Sequence, residues 1–332
     1  MALIKNLVSG LLLCSAAVNA APSSLFKRAA ESNVTVSNAT LVSNSTSWAS
    51  NTTTNLVDVF IACGDAPKGA DLSCNVLYNT TGNLNITQLY KVADNLNKTL
   101  MTTETAGIVV QAAAPAFESL SFFLAVVVDT YKTIIITEDA ALGAIIARDP
   151  RAEGRGPLVI DNTGVIYSGS LTPLSVPVGV IGDDNKACWF FEAQQTGLFD
   201  WNSTLRTTYT NFTNTMPATS PIVPVVYQEG VSTDLVSALS ASGAVNGLVL
   251  ISDLAAPAPT SNTTAPAPAT AAPAFPVVCV NPEGGITFLS AANIPTFAIA
   301  GGYLTPLQAQ LLLTIAISNG VTGATELRSL FP

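Results

Sequence analysis

GIVVQAAAPAFESLSFFLAVVV, residues 107–128, decides the fold. Gly107-Ile108-Val109-Val110 is a short β-branched apolar run, the pattern of a strand buried on both faces. It passes into a helical pattern whose first turn holds Pro115, a residue best tolerated at a helix start. A strand that feeds a helix is half of an open α/β unit. In such sheets ligands bind in the crevice beyond the carboxyl ends of the strands. Here the crevice loop reads Gln-Ala-Ala-Ala-Pro-Ala, methyl groups where polar chemistry is expected.

The same alternation extends outward in both directions. Apolar runs predict strands over 57–62, 107–110, 133–137, 157–161, 222–227, 247–252 and 296–300. Between them, helical periodicity predicts helices over 86–100, 116–128, 140–147, 233–242 and 305–318. The expected fold class is α/β, a doubly wound, mainly parallel sheet with a second, smaller α/β domain. A polar stretch near 207–221 separates a larger unit, 56–210, from a smaller one, 222–332. Within the latter, AAPAPTSNTTAPAPATAAPAFP (255–276) is an insertion too rich in proline, alanine and threonine to pack.

The amino end has the marks of export. Lys5, the apolar run from Leu7 to Val18 and the small residues Val18-Asn19-Ala20 form a signal peptide over 1–20. Residues 21–55 follow as a Ser/Thr/Asn-rich leader with a dibasic processing site at Lys27-Arg28. Ten sequons, at Asn33, Asn38, Asn44, Asn51, Asn79, Asn85, Asn97, Asn202, Asn211 and Asn262, predict heavy N-glycosylation in a secreted or cell-surface protein. No membrane span is expected, because no later run of about 18 apolar residues occurs.

Composition excludes several functions. Without the signal and dibasic residues, ten basic side chains face 22 acidic ones, a net charge of −12. That disfavours a nucleic-acid partner, which needs a basic face. The chain has no histidine, so Ser-His and Cys-His nucleophiles and histidine metal ligands are absent. Cys63, Cys74, Cys188 and Cys279 are disulfide candidates in an oxidising compartment, with Cys63–Cys74 the nearest pair in sequence. Buried free thiols are the alternative.

Several stretches together resemble the bacterial-type, secreted L-asparaginase/glutaminase family of amidohydrolases. FAIAGGYLTPLQAQLLLTIAIS (297–318) is similar to that family's closing strand, Gly-rich turn and helix. VPVVYQEGVSTDLVSALSASGAVNGLVLIS (223–252) resembles the opening of its C-terminal domain, and GRGPLVIDNTGVIYSG (154–169) the strand and hairpin before its catalytic lysine. The resemblance implies a threonine nucleophile after the first strand. It also implies a second threonine with an aspartate after a later strand, a lysine and a mobile tyrosine. At the matching positions stand Ala66, Ala114, Pro115 and Pro173, and only Tyr78 is retained. An alanine cannot attack a carbonyl, and a threonine does so only when activated. The resemblance therefore implies a pseudoenzyme with no cofactor. Its role would be binding or cell-surface, with a possible small amino-acid-like ligand and a possible homo-oligomer.

Two other functions remain open on the residues. An active amidohydrolase would need a relocated nucleophile, for which Thr102, Thr103 and Ser119 are candidates. A glycosylated spacer would rely on the leader and the insertion instead. Asp65, Glu138, Asp139 and Asp161, at strand ends, could face one crevice as acid–base groups or oxygen ligands. The plainer reading is that loops after strands are polar in a protein this acidic, since calcium takes about six oxygens or more and only four carboxylates are at hand. Lys132 and Lys186 are read as solvated lysines, and Trp189-Phe190-Phe191 as hairpin packing beside a disulfide.

Overall fold

The computed structural model describes residues 56–62, 72–102, 105–128, 130–169, 177–192, 220–227, 233–251, 273–282 and 288–331. The leader, Cys63, Asp65, Ala66, Thr103, Pro173, the sequons at Asn202, Asn211 and Asn262, and most of the 255–276 insertion lie outside them.

Eight strands form the first sheet: β1 (Leu56–Ile61), β2 (Leu72–Val76), β3 (Thr105–Gln111), β4 (Thr133–Thr137), β5 (Pro157–Ile160), β6 (Val165–Ser168), β7 (Pro177–Ile181) and β8 (Ala187–Trp189). Their order is β2-β1-β3-β4-β5-β6-β7-β8. The first five in that row are parallel, and β5 to β8 form an antiparallel meander. The second sheet, β12-β11-β10-β9, is wholly parallel, from β9 (Val225–Tyr227), β10 (Leu248–Ile251), β11 (Val277–Val280) and β12 (Ile299–Ala300). Both sheets are drawn from one compact unit, Thr52–Pro332.

Alternation along the strands sorts the core into faces. On one face of the first sheet, Phe60, Ile108, Val110, Ile134 and Ile136 meet α1 (Ile86–Leu100) and α2 (Phe117–Val127). On the other, Val59, Val109, Ile135 and Leu158 meet α3 (Ala140–Ala147). Leu248, Leu250, Val277 and Cys279 of the second sheet pack with Val236 of α4 (Thr233–Ser242). Its opposite face, Val249, Val278, Val280 and Ile299, joins the α1/α2 core through α5 (Pro306–Ser318) and α6 (Ala324–Leu330). The predicted doubly wound sheet with a smaller second α/β layer is the observed architecture.

Helix starts follow from local chemistry. Asn85 and Thr305 each close a capping box three residues before a glutamine, Gln88 and Gln308, so two orphan N–H groups are satisfied reciprocally. Asp139 caps α3 by accepting from Ala141 and Leu142 N–H, both at 3.0 Å. β3 approaches α3 so closely that a Cβ on Gly107 would stand 2.7 Å from the Ala147 carbonyl oxygen.

Among the described residues, Cys74, Cys188 and Cys279 are free thiols, while Cys63, the expected partner of Cys74, lies outside them. Cys188 is exposed on β8, the far edge of the first sheet, while Cys279 is wholly buried in the middle of the second. Burial pushes the Cys279 thiol up to about 12. Cys74 is half-buried, its thiol 4.0 Å from the Leu72 carbonyl oxygen.

Candidate functional site

The parallel strands β1, β3, β4 and β5 end together, so the residues after them share one rim. Ala62 N–H donates to Gln111 O at 2.8 Å, and Ala112 N–H to Thr137 O at 3.0 Å, extending the ladder beyond the strands. Ala114 to Ala116 then make a single 3₁₀ turn opening α2, with Pro115 in its first positions where no N–H is needed. Ala114 and Pro115 are exposed on the rim. The loop carries no hydroxyl, carboxylate or amine from Ala112 to Phe117.

A carboxylate reaches this loop from the neighbouring strand. Glu138, just past β4, accepts from Ala114 N–H at 3.0 Å. Its carboxylate therefore holds the loop that leads into α2. Asp139 is spent on the α3 cap. Asp161 organises the β5–β6 turn, accepting from Thr163 N–H (2.9 Å), Thr163 Oγ1 (2.7 Å) and Val165 N–H (3.0 Å), with Tyr167 hydroxyl at 3.4 Å. That turn closes through Gly164 at φ 82°, where a side chain would strain the backbone. Of the four carboxylates proposed for one crevice, the three described ones each accept from backbone N–H groups, Asp139 and Asp161 from their own turns and Glu138 from the neighbouring loop. Among the described residues no group of three or more His, Cys, Asp or Glu stands ready to hold a metal ion.

The other candidates fall away from the rim. Ser119 is buried in α2 and donates to Ala116 O at 3.1 Å. Thr102 precedes β3, at the opposite end of the sheet, donating to Thr99 O at 2.8 Å. Lys132 also lies there, donating to Leu100 O at 2.9 Å and Thr102 O at 2.5 Å, so it caps the end of α1. Lys186 pairs with Asp184 at 3.4 Å in the exposed β7–β8 turn. Tyr78 is on the rim, half-buried, with Lys91 Nζ 5.6 Å from its ring centroid. Burial raises its hydroxyl pKa.

One contact at the crevice end escaped sequence reasoning. Thr305, the N-cap of α5, donates through Oγ1 to Glu118 Oε1 of α2 at 2.5 Å, across 187 residues. The helix over 305–318 is expected from sequence, but the partner of its N-cap in another element is not. Trp189 packs in the β7–β8 hairpin as expected, against the core of the first sheet. It sits under Arg155, whose guanidinium carbon is 4.2 Å from the ring centroid, and donates to Asp149 Oδ2 at 3.1 Å. Phe190 and Phe191, beside it, are exposed rather than packed.

The class of protein follows from this frame: an α/β protein of the asparaginase-like fold. The crystal structure of a probable cytoplasmic L-asparaginase from Campylobacter jejuni matches it with a TM-score of 0.60, covering 83% of this chain and 99% of that one. Sequence identity there is 14%, so the likeness is one of fold. No family model matches the chain. The chain belongs to the family of two Saccharomyces cerevisiae proteins, the sporulation-specific wall maturation protein and protein YGP1. It is 40% identical to the first over 297 residues, spanning 83% of this chain and 89% of the relative. To the second it is 34% identical over 360 aligned positions, with 98% of both chains covered.

Proposed function

We propose that this is a secreted, N-glycosylated protein of the cell wall or cell surface that uses an asparaginase-like fold without amidohydrolase chemistry. The observation that carries it is the rim loop itself. Ala112, Ala113, Ala114, Pro115 and Ala116 offer no nucleophile or proton carrier, and the carboxylate that reaches them, Glu138, is bonded to Ala114 N–H. Acyl transfer needs an activated nucleophile within hydrogen-bond reach of a base. Ala66 and Pro173, at the other family positions, support the same reading from sequence. Placement at the wall is supported by the name of the sporulation-specific wall maturation protein. Among the described residues no helix is long and apolar enough to cross a membrane.

The test is ammonia release from L-asparagine and L-glutamine by the purified secreted protein, with its folding verified by circular dichroism. The expected result is no release above a blank, with the protein recovered in the wall fraction or medium. Turnover abolished by substituting a crevice residue would overturn the loss of chemistry.

A further inference from the structure

Of the three sequons among the described residues, two, at Asn79 and Asn85, stand at the crevice end of the first sheet. Tyr78 N–H donates to Ile61 O at 3.1 Å and Thr80 N–H to Ala62 O at 3.1 Å. These bonds fasten Tyr78, Asn79 and Thr80 across the carboxyl end of β1. The neighbour of β1 is β3, with Ile61 opposite Gln111. β1 stands between the Tyr78–Thr80 segment, which continues β2, and β3, so the Ala112–Pro115 loop begins about two strand spacings, ~10 Å, to the side of Asn79. Asn85 opens α1, which packs on the same sheet face as α2. Asn79, Asn85 and the sequon threonines Thr81 and Thr87 are all exposed.

Asn85 has a second task, and the two are chemically compatible. Its Oδ1 accepts from Gln88 N–H at 3.0 Å, while its own N–H donates to Gln88 Oε1 at 2.9 Å. The cap uses the amide oxygen and the main chain. It leaves Nδ2, the atom to which an N-linked sugar is bonded. Asn97, by contrast, is half-buried in the last turn of α1. It lies twelve residues beyond Asn85, about 18 Å along the helix axis and toward the other end of the sheet.

We propose that N-linked glycans on Asn79 and Asn85 stand over the mouth of the crevice and close the Ala112–Pro115 loop to large partners. Each forms by transfer from a lipid-pyrophosphate-linked oligosaccharide. The Nδ2–C1 bond forms, the C1–oxygen bond to pyrophosphate breaks, and the amide nitrogen gives up one proton. On this view the crevice is a shielded relic of the fold, and partner contacts lie elsewhere on the surface. The inference rests on the secreted, glycosylated reading above.

The experiment uses the full chain secreted from a glycosylating host. Peptide mass spectrometry with and without endoglycosidase reads occupancy, expected at both Asn79 and Asn85. Accessibility is read at position 114 with Ala114→Cys in a Cys188→Ser background, from the labelling rate of its peptide by a bulky maleimide. Labelling should be roughly tenfold slower than in the same protein carrying Thr81→Ala and Thr87→Ala, which remove both sequons and keep the Asn85 cap. Endoglycosidase trimming of the unaltered sequons should speed it likewise, and Asn97→Gln should not. Unmodified Asn79 and Asn85 would overturn the proposal at its root. Full occupancy with equal labelling rates would overturn the shielding alone and leave the glycoprotein reading standing.

Discussion

Asp149 shows how single side chains hold the antiparallel end of the first sheet. Its carboxylate accepts from Arg151 Nε (3.1 Å), Arg151 Nη2 (2.8 Å) and Trp189 Nε1 (3.1 Å). Arg155 lies on the Trp189 ring and donates to the carbonyls of Arg151 (2.6 Å) and Phe191 (2.8 Å). Burial alone raises the Asp149 pKa, but the hydrogen bonds from Arg151 and Trp189 and the Arg151 charge outweigh it and hold the carboxyl below its ordinary value. A group whose folded pKa is depressed stabilises the fold above its unfolded pKa, and that stability is lost as pH falls through the folded value. The contribution is therefore complete above about pH 5, begins to fall near the ordinary carboxyl value of about 4, and is lost only as pH drops through the lower folded value. Asp149→Asn should lower stability by about 1 kcal/mol at pH 7, a charged hydrogen-bond partner being lost at a half-buried site. The gap to wild type should close on acidification, followed by urea denaturation at pH 7 and pH 3. A gap that is constant with pH would show the carboxylate charge to be irrelevant.

At the scale of elements, the close approach of β3 to α3 is the tightest constraint near the rim. A methyl at Gly107 would meet Ala147 O at 2.7 Å, Thr133 O at 3.1 Å and Ala147 Cβ at 3.2 Å, two of them backbone atoms with little freedom to move. Gly107→Ala should cost about 1–3 kcal/mol, the range for overpacking a filled interior, read as a lowered denaturation midpoint with unchanged slope. An unchanged midpoint would mean that α3 slides freely on the sheet. Such contacts are invisible in sequence, whereas periodicity is not. β4, α1, α3 and α4 occupy the predicted spans, because continuous apolar runs or clear helical faces mark them. β2 was missed since it is an edge strand, Leu-Ser-Cys-Asn-Val, with an alternating and largely exposed pattern. β11, buried throughout as Val-Val-Cys-Val, was hidden behind the proline-rich insertion, and α6 is too short to show a periodicity. β12 has two residues where five were predicted, because the Pro295–Ala298 stretch turns before pairing begins. The rim loop was legible as strand, proline and helix. What its neighbours do was not: Glu138 on Ala114 N–H and Glu118 on Thr305 are tertiary choices no local pattern encodes.

For the whole molecule, the two sheets are not two independent domains in energetic terms. Phe122, Phe123 and Leu124 of α2 belong to the same buried cluster as Leu312, Leu313 and Ile315 of α5, and strand residues from both sheets line it. Glu118 and Thr305 bond across the same helix pair, and Gln310 Nε2 donates to Val223 O at 2.7 Å at the entry to the second sheet. Two layers that share one core cannot expose it separately without each leaving its apolar face in water, at about 25 cal/mol for every Å² uncovered. Loss of packing in α5 must then weaken the first sheet as well as its own. Leu312→Ala, at a wholly buried position, should cost about 2–5 kcal/mol through lost burial and the cavity left behind. The wild-type protein should unfold in one transition, and the variant should lower protection from hydrogen exchange equally in β4 and β10. Two transitions, or a loss of protection confined to β10, would show that the second sheet folds on its own and that the shared cluster is mere contact. A single shifted transition would mean that the seam between the sheets is where this chain keeps its stability. The rim loop of alanines could then carry substitutions at little cost to folding.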